Sequence, residues 1–174
     1  MEYVLSPKNK GTCIFCGLSR LNDDERRDRL VIASTPRAAV LLNRYPFASG
    51  HLLVVPVEHV DGLEKVSTPD YVELFALVRE SASRLRLAVR AEGLNVGLNL
   101  GAVAGGSIAE HMHVHIVPRW AGDSNFMPVL ADTRVMPQAL DATRAHLEPF
   151  FADVGAAVAA SLTAGAALPT TTGT

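Results

Sequence analysis

The segment Ala109-Glu110-His111-Met112-His113-Val114-His115-Ile116-Val117-Pro118-Arg119 is readable in only one regular conformation. Its three histidines stand at every second position, and Met112, Val114 and Ile116 fill the positions between and after them. Successive side chains of a strand point to opposite faces, so a strand here sets three imidazoles on one face and three apolar side chains on the other. A helix scatters them, because residues two apart do not share a helical face. The chain has 6 histidines in all, and half of them fall within these five residues. A neutral imidazole can be a nucleophile, a general base, a hydrogen-bond donor to phosphate or a metal ligand. A row of three therefore admits either a metal site or a catalytic centre.

The rest of the pattern supplies partners for that strand. Leu30–Ser34, Ala38–Asn43 and His51–Pro56 are short apolar runs separated by Thr35-Pro36-Arg37 and by the Pro/Gly-punctuated loop Arg44–Gly50. Short connections of this kind predict an antiparallel meander. Ser67 or Thr68 caps a helix with Pro69 in its first turn, and Tyr71, Leu74, Phe75, Val78, Ala82, Leu85 and Val89 recur at helical spacing towards Gly93. A fourth strand follows over Leu94–Leu100, alternating Leu94, Val96, Leu98 and Leu100 with Asn95, Gly97 and Asn99. The small-residue loop Gly101–Ser107 leads from it into the histidine strand and offers backbone N–H groups to an anion. A further helix is expected from about Met136 to Phe151. The charged stretch Leu21–Asp28 reads as a solvated loop or short helix. Five strands and a long intervening helix predict an α+β domain: an antiparallel five-stranded sheet covered by helices. The expected organisation is an arm over residues 1–12, a domain over 13–151 and an Ala/Gly/Thr-rich tail over 152–174, partly disordered and with its Ala-rich part able to extend the last helix.

Composition narrows the function classes. A net charge of -2 gives no broad basic surface for a nucleic acid polymer, although a small anion needs only local positive charge. No apolar run reaches the roughly 18–20 residues of a membrane helix. The opening Met1–Lys8 lacks a basic start followed by an apolar run, so no secretory signal is expected and the protein reads as cytoplasmic. In a reducing compartment the pair Cys13-x-x-Cys16 points to metal or redox chemistry rather than a structural disulfide.

Taken together, these motifs resemble a known family. His111-x-His113-x-His115 with Ile-Val-Pro-Arg after it is similar to the signature of the histidine triad superfamily of nucleotide hydrolases and transferases. Asn43-Arg44-Tyr45-Pro46, Gly50–Pro56 with His59, and Asn99 with Gly105-Gly106-Ser107 resemble its other conserved-order segments, so the likeness runs from Cys13 to about Trp120. Asn99…Ser107, Pro118-Arg119-Trp120 and Gly122–Phe126 resemble the branch of actinobacterial diadenosine tetraphosphate phosphorylases.

The resemblance implies roles. His113 is the nucleophile, forming a nucleotidyl-histidine; His51, His115, Asn99 and Ser107 donate to phosphate oxygens, and Ser107 protonates the leaving oxygen. Asn43 holds the ribose, Gly106 and Trp120 belong to the nucleotide site, and Ile32 and Leu42 sandwich the base. Phosphate as acceptor makes the enzyme a phosphorylase; water makes it a hydrolase of dinucleoside polyphosphates or phosphoramidates, and a pathway-specific nucleotide transferase is a further alternative. A nucleotide-binding module without turnover and a catalytic metal held by all three histidines are the readings outside that class. The Cys13–Cys16 pair has zinc-ligand spacing, and the family's Cys2His2 set implies His59 and His111 as its partners in a structural zinc site, with no organic cofactor. The family is usually homodimeric, and the branch reaches tetramers.

Overall fold

The structure is a computed structural model that describes residues 13–105, 108–123 and 139–165. The expected arm over 1–12, and Gly106 and Ser107, lie outside the described residues. The fold is α+β, built on one five-stranded antiparallel sheet in the order β1-β2-β3-β5-β4. The strands are β1 (Val31–Ser34), β2 (Ala38–Leu42), β3 (Leu52–Pro56), β4 (Gly93–Leu98) and β5 (Val114–Arg119). Strands β1 to β3 form the expected meander. The helices are α1 (Asp23–Asp28), α2 (Thr68–Val89), α3 (Leu140–Phe151) and α4 (Val154–Gly165). Residues 21–28 resolve to the short helix α1, closed by a reciprocal capping box between Asn22 and Glu25.

Both β2 and β3 are buried along their whole length, so they read as continuous apolar runs rather than alternating ones. Alternation still sorts their side chains. Val40, Leu42, Leu52, Val54, Val114 and Ile116 join Leu74, Leu77 and Leu85 of α2, Leu147 and Phe151 of α3, and Val154 and Val158 of α4 in one core. Ala39, Leu41, Leu53 and Val55 meet Phe15 and Leu18 on the opposite face. Helical packing thus continues past Phe151. Among the described residues no single helix is long and apolar enough to cross a membrane.

Three boundaries differ from expectation, each for a local reason. Helix α2 starts under a Ser67 cap but stops at Val89, where Arg90 takes a left-handed conformation (φ 50). The chain is then captured by the sheet: Glu92 N–H donates to the Arg119 carbonyl at 3.0 Å. Strand β4 ends at Leu98 rather than Leu100; Leu94 and Leu98 pack on the core, whereas Val96 at the sheet edge is 50% exposed and Leu100 is 40% exposed. Strand β5 begins only at Val114, so His111 and His113 lie in the segment that leads into it. The ladder pairs Val54 with Val114, and the next residue of β3 whose backbone faces β5, two positions on, is Pro56, which has no N–H to give. Met112 N–H turns instead to the Val60 carbonyl at 2.7 Å. The two-residue alternation survives the change: Met112 stays in the helix-side core.

Candidate functional site

His113 and His115 look out from the sheet face opposite the helices, into a cavity of about 500 Å³. Its apolar wall includes Ile14, Phe15, Leu30, Leu41, Leu53 and Ile108, and its polar groups include Asn43, Asn99, Arg29 and Arg44. Strand pairing explains the juxtaposition, because His115 lies opposite Leu53 on β3 and Leu53 lies opposite Leu41 on β2.

Hydrogen bonds assign a tautomer to each of the four histidines at the site. His51 is fully buried, and its Nδ1 accepts from the Phe47 N–H at 3.1 Å and from the Asn43 amide at 3.4 Å. With Nδ1 occupied as an acceptor, the proton of neutral His51 sits on Nε2 and is donated to His115 Nδ1 at 2.9 Å. The His115 proton is thereby forced onto Nε2, which is buried and without a partner among the described residues. His113 Nδ1–H donates to the His111 carbonyl at 3.0 Å, so its Nε2 carries the lone pair. His111 Nε2–H donates to the Pro56 carbonyl at 3.0 Å, leaving Nδ1 as the acceptor.

Burial favours the neutral form of His111, His113 and His115. Burial pushes the His113 imidazole below its ordinary range, against the opposing pull of the His111 carbonyl. Burial, and then the neighbouring His113, push His115 down to about 4. The His113 and His115 ring centroids are 4.8 Å apart. A neutral ring nitrogen with a lone pair thus stands beside an N–H donor that finds no acceptor among the described residues. Such a pair can attack an electrophile while the donor holds the negative charge that develops on it.

The sequence-derived set divides on inspection. Asn43, Asn99, His113 and His115 line the cavity, as does Leu42. His51 stands behind His115 rather than at the cavity surface, so it orients the donor instead of meeting a ligand. Trp120 is held elsewhere, its indole N–H donating to the Arg90 carbonyl at 3.2 Å. Ile32 packs in the helix-side core, because alternation along β1 turns it away from the cavity. Ser107 and Gly106 are outside the described residues. Phe15, Leu41 and Leu53 escaped the sequence reading; the parity of β2 and β3 relative to the histidines was the signal for the last two.

Cys13, Cys16, His59 and His111 come together as a second cluster, with their ligand atoms all within 4.8 Å of one another. Cys13 Sγ is 3.3 Å from His111 Nδ1, and Cys16 Sγ is 3.3 Å from His59 Nδ1 and 3.8 Å from His111 Nδ1. Tetrahedral bonds of the length zinc makes to nitrogen and sulfur give ligand–ligand edges of about 3.3–3.8 Å. The His111 Nε2–H bond to Pro56 turns the ring's lone pair towards the sulfurs, as an outer hydrogen bond orients a metal ligand. Burial, and then Cys13 beside it, push the Cys16 thiol up, a cost that a bound cation relieves. The four residues fit a dication. Of the three alternating histidines only His111 joins this cluster, so a metal held by all three is not what the described residues build.

The HIT domain model matches residues 25–122, more than half of the chain. The chain belongs to the histidine triad family. It is 43% identical over 130 residues to the AP-4-A phosphorylase of Mycobacterium tuberculosis, a match covering 75% of this chain and 65% of that protein. The chain therefore spans just under two thirds of that relative's length. A bis(5'-nucleosyl)-tetraphosphatase [asymmetrical] of Schizosaccharomyces pombe is 32% identical over 93 residues, 53% of this chain and 50% of that one. Among solved structures, a Zn-bound histidine triad family protein of Mycobacterium smegmatis shares the fold with a TM-score of 0.57, at 24% identity, over 78% of this chain and 87% of that chain.

Proposed function

We propose that this histidine triad protein is a nucleotidyl-transferring enzyme that cleaves dinucleoside polyphosphates, diadenosine tetraphosphate above all, at an α-phosphate. One observation carries the reading: the His113 Nδ1–H bond to the His111 carbonyl leaves the Nε2 lone pair of this cavity-lining ring free, beside a His115 Nε2–H that has no partner among the described residues. His113 Nε2 attacks the α-phosphorus, the bond to the bridging oxygen breaks, and the departing nucleoside polyphosphate carries that electron pair away. The His115 Nε2–H holds a non-bridging oxygen as charge builds on it. Ser107 protonates the leaving oxygen, and Asn43 holds the ribose hydroxyls. Phosphate oxygen then attacks the nucleotidyl-histidine and releases a nucleoside diphosphate with His113 restored. The names of the two curated relatives support the substrate class, and that of the Mycobacterium tuberculosis protein supports phosphate as acceptor.

Cys13, Cys16, His59 and His111 hold a structural zinc ion, which supplies a closed four-ligand anchor rather than reacting chemistry. Two free cysteines poised as ligands suit the reducing cytoplasm. The chain assembles as a homodimer, or further to a tetramer, through edge strand β4 and helix α2. Val96 at 50% and Leu87 at 68% exposure leave an apolar surface there, and an unpaired edge is a template for a second copy.

The test is incubation with diadenosine tetraphosphate, with and without inorganic phosphate. ADP formed only when phosphate is present, with ATP at the same turnover, is expected; without phosphate the protein should be adenylylated and release about one equivalent of ATP, and His113→Ala should do neither. AMP with ATP at equal rates in both reactions refutes phosphate as acceptor and leaves the hydrolase. His113→Ala should lower turnover by about 10³-fold or more; retained turnover refutes the nucleophile.

A further inference from the structure

Cys13 and Cys16 enclose Ile14 and Phe15 in a single turn, and both enclosed residues line the cavity. Phe15 is only 2% exposed. Its ring meets His111 edge-on at 5.6 Å between centroids and lies 5.1 Å from the His113 ring. One phenyl ring therefore touches a residue of the cysteine–histidine cluster and the residue whose lone pair faces the cavity. The turn's own bonds are local, with Cys16 N–H donating to the Cys13 carbonyl at 3.2 Å and Phe15 N–H approaching Cys13 Sγ at 3.4 Å. Arg29 donates to the Ile14 carbonyl and lines the cavity as well. The sheet is joined to this turn by apolar packing of Phe15 and by the approach of the two sulfurs to His59 and His111. A thiol is a weak donor to imidazole, whereas a dication binds thiolate and imidazole strongly.

We infer that the cluster of Cys13, Cys16, His59 and His111 controls the nucleoside wall: a dication bound there fixes Phe15 and Ile14 against the cavity, and its loss opens that wall and weakens nucleotide binding. This deepens the nucleotide reading of the cavity and rests on it. The His51–His115 pair stays in place when the wall opens, because it is carried by β3, β5 and the loop between β2 and β3 and not by the turn. Phe15 acts here as a positioning residue, and nucleotide affinity becomes a reporter of metal occupancy.

Calorimetric titration of AMP into protein loaded with one equivalent of zinc, and into the same protein stripped by a chelator, tests the inference. Hydrogen exchange is followed in parallel over residues 13–18 and over β5. Stripping is expected to weaken AMP binding roughly tenfold, the scale of one lost aromatic contact. It should speed exchange over 13–18 while β5 stays protected. Phe15→Ala loaded with zinc should bind AMP as weakly as the stripped parent, with little further loss on stripping. Equal AMP affinity of loaded and stripped protein overturns the coupling and leaves the nucleotide reading standing; no AMP binding to the loaded protein removes both. If stripping unfolds the whole chain, His59→Ala decides, since it removes an exposed ligand that does not line the cavity. Held free of zinc, the folded variant should bind AMP roughly tenfold more weakly than the zinc-loaded parent, and an affinity equal to the loaded parent's overturns the inference.

Discussion

His115 enters the fold neutral, with a buried N–H and a pKa pushed down to about 4 by burial first and by His113 second. The unfolded chain carries the same imidazole near its ordinary 6.5. Between those values an acidified unfolded chain takes up a proton that the folded chain refuses, so stability is full above the window and falls as pH drops through it. The denaturant midpoint should decline from about pH 6.5 to about pH 4, and more shallowly in His115→Asn; an equal slope in the variant would assign the effect to other groups. Asp61, Asp70 and Asp153, lowered first by hydrogen bonds to Lys65, Ser67 and Arg84, lose their contribution below the ordinary carboxylate value and so outside that window. His51→Leu removes the donor that sets the His115 tautomer, and kcat should fall roughly tenfold or more, as for one lost buried hydrogen bond. Alternation alone marked His113 and His115 as facing one way, and both line the cavity. The orienting work of His51 was not legible, because it depends on β3 pairing with β5, a neighbour relation between residues 64 apart in the chain.

At the scale of elements, the β2–β3 loop determines where His51 stands. Gly50 has φ +84, and a Cβ there would lie 3.3 Å from Leu85 Cδ1 and 3.6 Å from Val89 Cγ1 of α2. Gly50→Ala should therefore cost about 1–3 kcal/mol, from the left-handed backbone and from crowding the helix. Urea unfolding measures this, and a loss under half a kilocalorie would show that α2 yields at no cost. The run of strands and the Ser67 start of α2 were readable from period and turn chemistry. Where they stop was not: Pro56 ends the β3–β5 ladder from the partner strand, and Arg90 ends α2 where β5 takes over the chain. Likewise β5 lies between β3 and β4 only because α2 carries the chain across the sheet before β4 forms. Such facts belong to pairs of distant segments, and no local window contains them.

At the scale of the molecule, the sheet separates two apolar clusters. The larger lies under α2, α3 and α4, and the smaller holds Phe15, Leu18, Val31, Ala39, Leu41, Leu53 and Val55. The exposed edge at β4 is where the proposed dimer would pair: Val96→Asp should shift sedimentation towards monomer with the fold retained, and an unchanged sedimentation coefficient would remove β4 from the contact. Leu147→Ala, fully buried on the helix side, should cost about 2–5 kcal/mol of stability with AMP affinity unchanged; a parallel loss of affinity would mean that the two clusters communicate. The separation makes robustness and selectivity largely independent variables. Substitutions that repack the helical layer can raise heat tolerance without altering which ligand is chosen. Changes of ligand preference fall instead to the side chains that line the cavity: Phe15, Leu41 and Leu53 of the smaller cluster, the polar Asn43 and Asn99, and Leu30 and Leu42, which the larger cluster shares.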